Sequence, residues 1–202
     1  MAANDTGNSN QARDPFAMVS EIKTQGPAPV HLWDPPFCGD IDLVIRRDGT
    51  WVHEGRPIRR PAMVKLFASI LKREADGRIY LVTPVEKVGI TVEDCPFLVV
   101  DMKVESPGAS QSVLFITNTD ETVCLDSEHP LRVDADPESG EPHPVLEVRN
   151  GLDGLLTRAV FYRLAELAQS GAESGEQPGR EPGGEPGDEL GVRSAGQFFK
   201  LN

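Results

Sequence analysis

The chain is predicted to be an α+β protein of mostly antiparallel strands with two packed amphipathic helices. Three observations carry this reading. Short runs with a two-residue apolar period recur between residues 40 and 118, separated by Gly- and Pro-containing turns. Two longer segments, 60–73 and 155–169, place apolar residues at helical spacing. Finally, 202 residues with 39% hydrophobic and 26% charged content suffice for one large domain or two small ones.

Residues 1–14, rich in Asn, Ala, Ser and Gly, read as a tail. A short helix is expected over 15–23, with Phe16, Val19 and Ile22 on one stripe, and residues 25–29 break it. The first clear strand is 40–47, where Ile41, Leu43 and Ile45 alternate with Asp40, Asp42, Val44 and Arg46. Asp48-Gly49 then predicts a two-residue type I′ turn and a returning strand over 50–54. That register sets Arg46 opposite Trp51, Ile45 opposite Val52, and Val44 opposite His53. Arg60-Pro61 opens the first helix, whose buried stripe is Val64, Phe67, Ile70 and Leu71.

Strands follow over 78–82, 87–93, 97–105 and 112–118. In the third of these, Leu98, Val100, Met102 and Val104 are expected on one face. Weaker strand signals cover 122–125 and 145–149, and 134–144 reads as a loop. The second helix carries Leu156, Val160, Leu164 and Leu167 on one stripe, with Asp153 as a candidate cap. Residues 170–189 form a Gly/Glu/Pro-rich linker. Phe198, Phe199 and Leu201 then predict a final strand docking back on the body. Residues 66–71 and 160–165 share a hydrophobic pattern, which is either a structural duplication or two unrelated amphipathic helices.

The net charge is −12, of which the linker contributes −5, leaving an ordinary acidic surface elsewhere. No basic stripe exists to neutralise phosphates along a polymer, so neither nucleic acid nor an anionic membrane is an expected partner. Cys38, Cys95 and Cys124 are dispersed and odd in number, which argues against a disulfide framework. The start lacks a signal-like apolar region and no run approaches the ~18 apolar residues of a spanning helix, so a cytoplasmic protein is expected.

Asp40-Ile-Asp42-Leu-Val44 matches the D-x-D-x-[TV] string of haloacid-dehalogenase-type phosphatases, where one carboxylate attacks phosphorus beside Mg²⁺. In those enzymes the first Asp ends a strand, whereas here Asp40 begins one, and no doubly wound βαβ series follows. His31, Cys38, His53, Cys95, Cys124, His129 and His143 form no metal-ligand pair at local spacing, so no metal or other cofactor is expected. Nucleophile-elbow, P-loop and dinucleotide-binding signatures are missing, and no catalytic residue is assigned. The hairpin register offers something more specific. Asp40, Asp42, Arg46, Trp51 and His53 would share its outer face, a recognition surface for a small polar ligand or peptide. The competing expectation is that Trp51 packs and the charges simply pair.

The block His31-Leu-Trp33-Asp-Pro35-Pro36, Gly39-Asp40-Ile-Asp42, Asp48-Gly49-x-Trp51, Gly55-x-Pro57-Ile58-x-Arg60 and Leu66-Phe67 is highly specific. With Tyr80-Leu-Val-Thr83-Pro84-Val-Glu86-Lys87 and Val92-Glu93-Asp94-x-Pro96-Phe97, it resembles the bacterial family called domain of unknown function 1285. The resemblance covers about residues 29–169 and extends to 191–201, with 170–189 as an insertion. It implies two small related α+β units, the first mostly β, and carries over no activity or catalytic residues. The expected organisation is therefore an N-terminal segment (1–28), a first unit (29–95) and a second unit (96–202).

The functional expectation is a non-enzymatic module binding a small molecule or protein partner, accessory to bacterial signalling. Its candidate ligand residues are Asp40, Asp42, Arg46, Trp51, His53 and Arg60. The alternatives are a Mg²⁺-dependent phosphohydrolase using Asp40 and Asp42, and a structural protein whose helices support a homodimer.

Overall fold

The computed structural model describes residues 26–108, 110–137, 139–170 and 190–201. The expected helix over 15–23 and nearly all of the 170–189 linker lie outside them. A short 3-10 helix (Val30–Leu32) leads into β1 (Phe37–Ile45), β2 (Trp51–His53), β3 (Arg56–Pro57), α1 (Pro61–Ser69), β4 (Leu71–Arg73), β5 (Ile79–Val82) and β6 (Lys87–Val92). Then come β7 (Phe97–Glu105), β8 (Ser112–Thr117), β9 (Thr122–Cys124), β10 (Leu131–Ala135), β11 (Pro142–Arg149), β12 (Leu152–Leu156) and α2 (Arg158–Ala165). Three short strands close the chain: β13 (Gln169–Ser170), β14 (Leu190–Ser194) and β15 (Gln197–Lys200).

Two six-stranded mixed sheets result, ordered β3-β2-β1-β6-β5-β4 and β10-β11-β12-β7-β8-β9, with β13-β14-β15 as a third. Each large sheet is two antiparallel three-stranded meanders joined by one parallel pair, β1 with β6 and β7 with β12. Shifting every strand number by six converts the first order into the second. The repeat therefore lies in the strands, and the helices are not its counterparts: α1 connects β3 to β4, whereas α2 follows β12. The shared pattern of 66–71 and 160–165 is that of two amphipathic helices at different places in the repeat.

The first hairpin departs from the expected register by one residue. Ile45 pairs with Trp51, Val44 with Val52, and Leu43 with His53. The Gly49 amide donates to the Arg46 carbonyl, and the Arg46 amide to the Thr50 carbonyl. The loop is thus three residues long and ends on Gly49 at φ +79°. A Cβ there would fall 2.9 Å from Asn118 Nδ2 and 3.3 Å from Leu98 Cβ, because the second unit packs directly on the loop. A one-residue slip moves every side chain to the other face. Trp51 consequently joins Ile45 in the core, 1% exposed, stacked on Phe67 of α1 with ring centroids 6.1 Å apart.

Other boundaries shift for local reasons. Ile70 leaves helical geometry, so the first helix ends at Ser69 and Leu71–Arg73 pairs with β5 instead. A bulge between Val99 and Asp101 interrupts the alternation of β7, burying Val99 and Met102 while Val100 stays 44% exposed. The expected 134–144 loop shrinks to 136–141, because β10 and β11 pair from Leu131 to Ala135. The second helix begins at Arg158. Asn150 and Gly151 (φ +48° and +73°) make the tight turn of a β11–β12 hairpin, and 152–156 becomes a strand alongside β7. Asp153 is therefore no cap; it binds Arg132 (3.2 Å) and Arg73 (3.4 Å). The C-terminal residues form a hairpin rather than one strand, docked where the Val113 amide donates to Ser194 Oγ at 2.9 Å.

The seam between the large sheets centres on Arg149. Its Nη2 donates to the Ala68 carbonyl at the end of α1 (2.6 Å), its Nη1 pairs with Glu121 (3.1 Å), and its plane lies over the Phe97 ring (4.7 Å). Burial pushes the Glu121 carboxyl above its ordinary value of 4.5, outweighing the attraction of Arg149. Burial likewise lowers the guanidinium.

Two stability predictions follow from this packing. Trp51→Ala should cost about 3–5 kcal/mol in urea denaturation. Trp51→Phe should cost clearly less, because Trp51 Nε1 is buried without a hydrogen-bond partner among the described residues and its loss relieves a desolvation cost. Arg149→Met should cost about 3–5 kcal/mol by stranding Glu121. In the folded chain Glu121 holds its proton to higher pH than in the unfolded chain. Relative to Glu121→Gln, the native chain should therefore lose stability as pH rises from 4.5 through the folded value, measured by denaturant titrations across that range.

Candidate functional site

The β2–β3 connection is as tight as a hairpin allows. His53 pairs with Arg56 and Val52 with Pro57, around Glu54 and Gly55 at φ +47° and +71°. The Ile58 amide then donates to the Trp51 carbonyl (2.8 Å), and Arg60 takes extended geometry at the N-cap of α1, with Pro61 next. Three arginines are thereby held within five residues on a turn, a strand end and a helix start.

They line one groove of about 470 Å³ with His53, Glu54, Pro57, Ile58 and Met63. Ile58 and Met63 are half-buried and give an apolar floor, while Arg56, Arg59 and Arg60 are exposed. Among the described residues their guanidinium groups make no ion pair or hydrogen bond. The first turn of α1 contains no acidic residue to offset the positive end of the helix. His53 Nδ1 lies 2.9 Å from the Asp42 carbonyl, an acceptor, so Nδ1 carries the hydrogen.

The structure disperses the six sequence-predicted residues. His53 and Arg60 meet in the groove. Trp51 is in the core instead of on the outer face, and is covered by Phe67. Asp40 and Asp42 lie within β1, which starts three residues earlier than expected. The Asp40 carboxylate accepts from Arg78 at 2.5 Å, and Arg78 also lies over the Tyr80 ring. Arg46 is exposed beside Asp48, away from the groove lining. Arg56 and Arg59 were missed; their signal was three arginines flanking the Glu54-Gly55 turn and the Pro61 helix start.

A second cavity, about 300 Å³, opens between the units and is lined by Arg47, Asp136, Glu141, His143, Arg158 and Tyr162 among others. Its cations are already met: Arg47 bonds Asp94 (2.9 Å) and Asp136, and Arg158 bonds Glu141 (2.5 Å). Beside it Asp94, Cys95 and His143 come together, a donor set that could hold a metal and that no local spacing reveals.

Two family models cover the chain almost end to end. The N-terminal domain model of DUF1285, a domain of unknown function, matches residues 28–95, and the DUF1285 C-terminal domain model matches 96–201. The chain belongs to the DUF1285 family. A DUF1285 protein of Silicibacter pomeroyi DSS-3 is 48% identical, with 92% of this chain and 93% of that chain covered at a TM-score of 0.79. Another, from Shewanella baltica OS155, is 30% identical, with 61% of this chain and 90% of that chain covered at a TM-score of 0.48. No curated protein matches the chain. DUF1285 membership fits the two sheet-rich units. Among the described residues no helix is long and apolar enough to cross a membrane.

Proposed function

We propose that the chain is a binding module whose first unit takes a small anionic ligand, bearing phosphate or carboxylate, in the arginine groove. One observation carries the reading. Arg56, Arg59 and Arg60 line a groove whose one carboxylate is Glu54, and among the described residues their guanidinium groups make no ion pair or hydrogen bond. Three guanidinium groups set against the single Glu54 carboxylate leave a net positive charge, and an anion relieves the remaining repulsion. Guanidinium forks match carboxylate and phosphate oxygens in pairs. The start of α1 adds its own positive end, and Ile58 and Met63 offer apolar surface to the rest of the ligand.

The Asp40–Asp42 pair supports the phosphohydrolase alternative less well, since the Asp40 carboxylate is committed to Arg78. A module that binds without transforming its ligand suits an accessory role in bacterial signalling, its output being the altered surface of the bound state.

Isothermal titration with inorganic phosphate, pyrophosphate and citrate at low ionic strength tests the reading. At least one should bind, with affinity falling as salt rises. Arg59→Ala and Arg60→Ala should each weaken it about tenfold, or about 1.4 kcal/mol, while Arg158→Ala leaves it unchanged. Binding that survives both groove substitutions, or that disappears with Arg158→Ala, would sink the proposal.

A further inference from the structure

The connection between β6 and β7 joins the two units, and it carries Asp94 and Cys95. His143, near the start of β11, reaches it from the second unit. The Asp94 carboxylate stands at the centre of this group. Both its oxygens lie 3.0 Å from His143 Nε2, its Oδ1 lies 3.4 Å from Cys95 Sγ, and its Oδ2 accepts from Arg47 Nε at 2.9 Å. All three donor atoms, one oxygen, one sulfur and one nitrogen, lie within 4.8 Å of one another. Cys95 is buried, and Asp94 and His143 are mostly so.

From this geometry we infer that Asp94 Oδ1, Cys95 Sγ and His143 Nε2 form a zinc site that spans the seam between the units. Metal–ligand bonds of about 2.0–2.3 Å at tetrahedral angles place donor atoms about 3.3–3.6 Å apart. The two contacts at Asp94 Oδ1 already match that spacing to within a few tenths of an ångström. Mixed nitrogen, sulfur and oxygen donors suit zinc better than magnesium or calcium, which take oxygen ligands.

Charge closes on the same arrangement. Zinc displaces the Cys95 proton to solvent, and the thiolate with the Asp94 carboxylate then balances the ion. Arg47 stays on Asp94 Oδ2, its charge met by Asp136, which leaves Oδ1, the oxygen that Cys95 Sγ approaches, for the metal. His143 also lines the cavity of about 300 Å³, which brings this donor set next to solvent. His143 lies 48 residues beyond Cys95 in sequence, which is why no spacing motif marks the set.

Cobalt titration of the reduced, chelator-stripped full chain tests this, with zinc competition to rank affinity. A thiolate-to-cobalt charge-transfer band should saturate at one equivalent and vanish on adding zinc. Cys95→Ser should abolish it, while Cys38→Ser and Cys124→Ser should leave it intact. His143→Gln keeps the thiol, so it should retain the fold and weaken binding on the order of tenfold or more. No band in the folded native chain, a band that survives Cys95→Ser, or unchanged zinc affinity in His143→Gln would overturn the site. Should Cys95→Ser fail to fold, the native chain and His143→Gln still decide.

Discussion

Arg149 sits where the two units meet, with the last turn of α1 on one side and Glu121 and Phe97 on the other. Ala68 contributes a carbonyl in the last turn of α1, and the guanidinium donates to it from another sheet. Both charged partners bear the mark of burial, Glu121 raised and Arg149 lowered, so the pair is retained against a desolvation cost. Such a pair specifies geometry more than it adds net stability. Here it fixes where the end of α1 lies on the second unit. The other end of the same nine-residue helix carries Met63, with Arg60 at its N-cap, both in the groove lining.

The distribution of charge follows from that constraint. At the seam nearly every cation is met: Arg47 by Asp94 and Asp136, Arg73 and Arg132 by Asp153, Arg149 by Glu121. These contacts hold the repeated meanders in register with each other and leave little affinity for a further anion. The arginines of the β2–β3 turn and the helix start lie outside this network. Among the described residues their guanidinium groups have no carboxylate partner of this kind. One region of the molecule thus uses its charges for assembly, and another carries the cations on which the proposed anion site rests.

The sequence was legible where a signal was local and its period unambiguous. Strands β5 to β9 fall close to their expected spans, because alternation and Gly/Pro punctuation agree there. It failed where two local readings compete. Asp48-Gly49 fits a two-residue turn and a three-residue one equally well; the observed loop is the longer one, with Leu98 and Asn118 of the second unit packed on Gly49. That single residue moved Trp51 from the expected recognition face to the core. The apolar stretch 152–156 fits a helix or a strand. The Asn150-Gly151 turn would have decided it, had that dipeptide been weighed as heavily as Asp48-Gly49. Half of the groove was foreseeable, since Arg56, Arg59 and Arg60 are neighbours in sequence. The Asp94–Cys95–His143 group was not, because only the docking of β11 on the β6–β7 connection creates it.

The arginine groove as the anion site can be tested directly by following backbone amide resonances during titration with inorganic phosphate. Saturable shifts confined to residues 53–63 are the expected result. Shifts centred on Arg47, His143 and Arg158 in the inter-unit cavity, or none at millimolar phosphate, would contradict it.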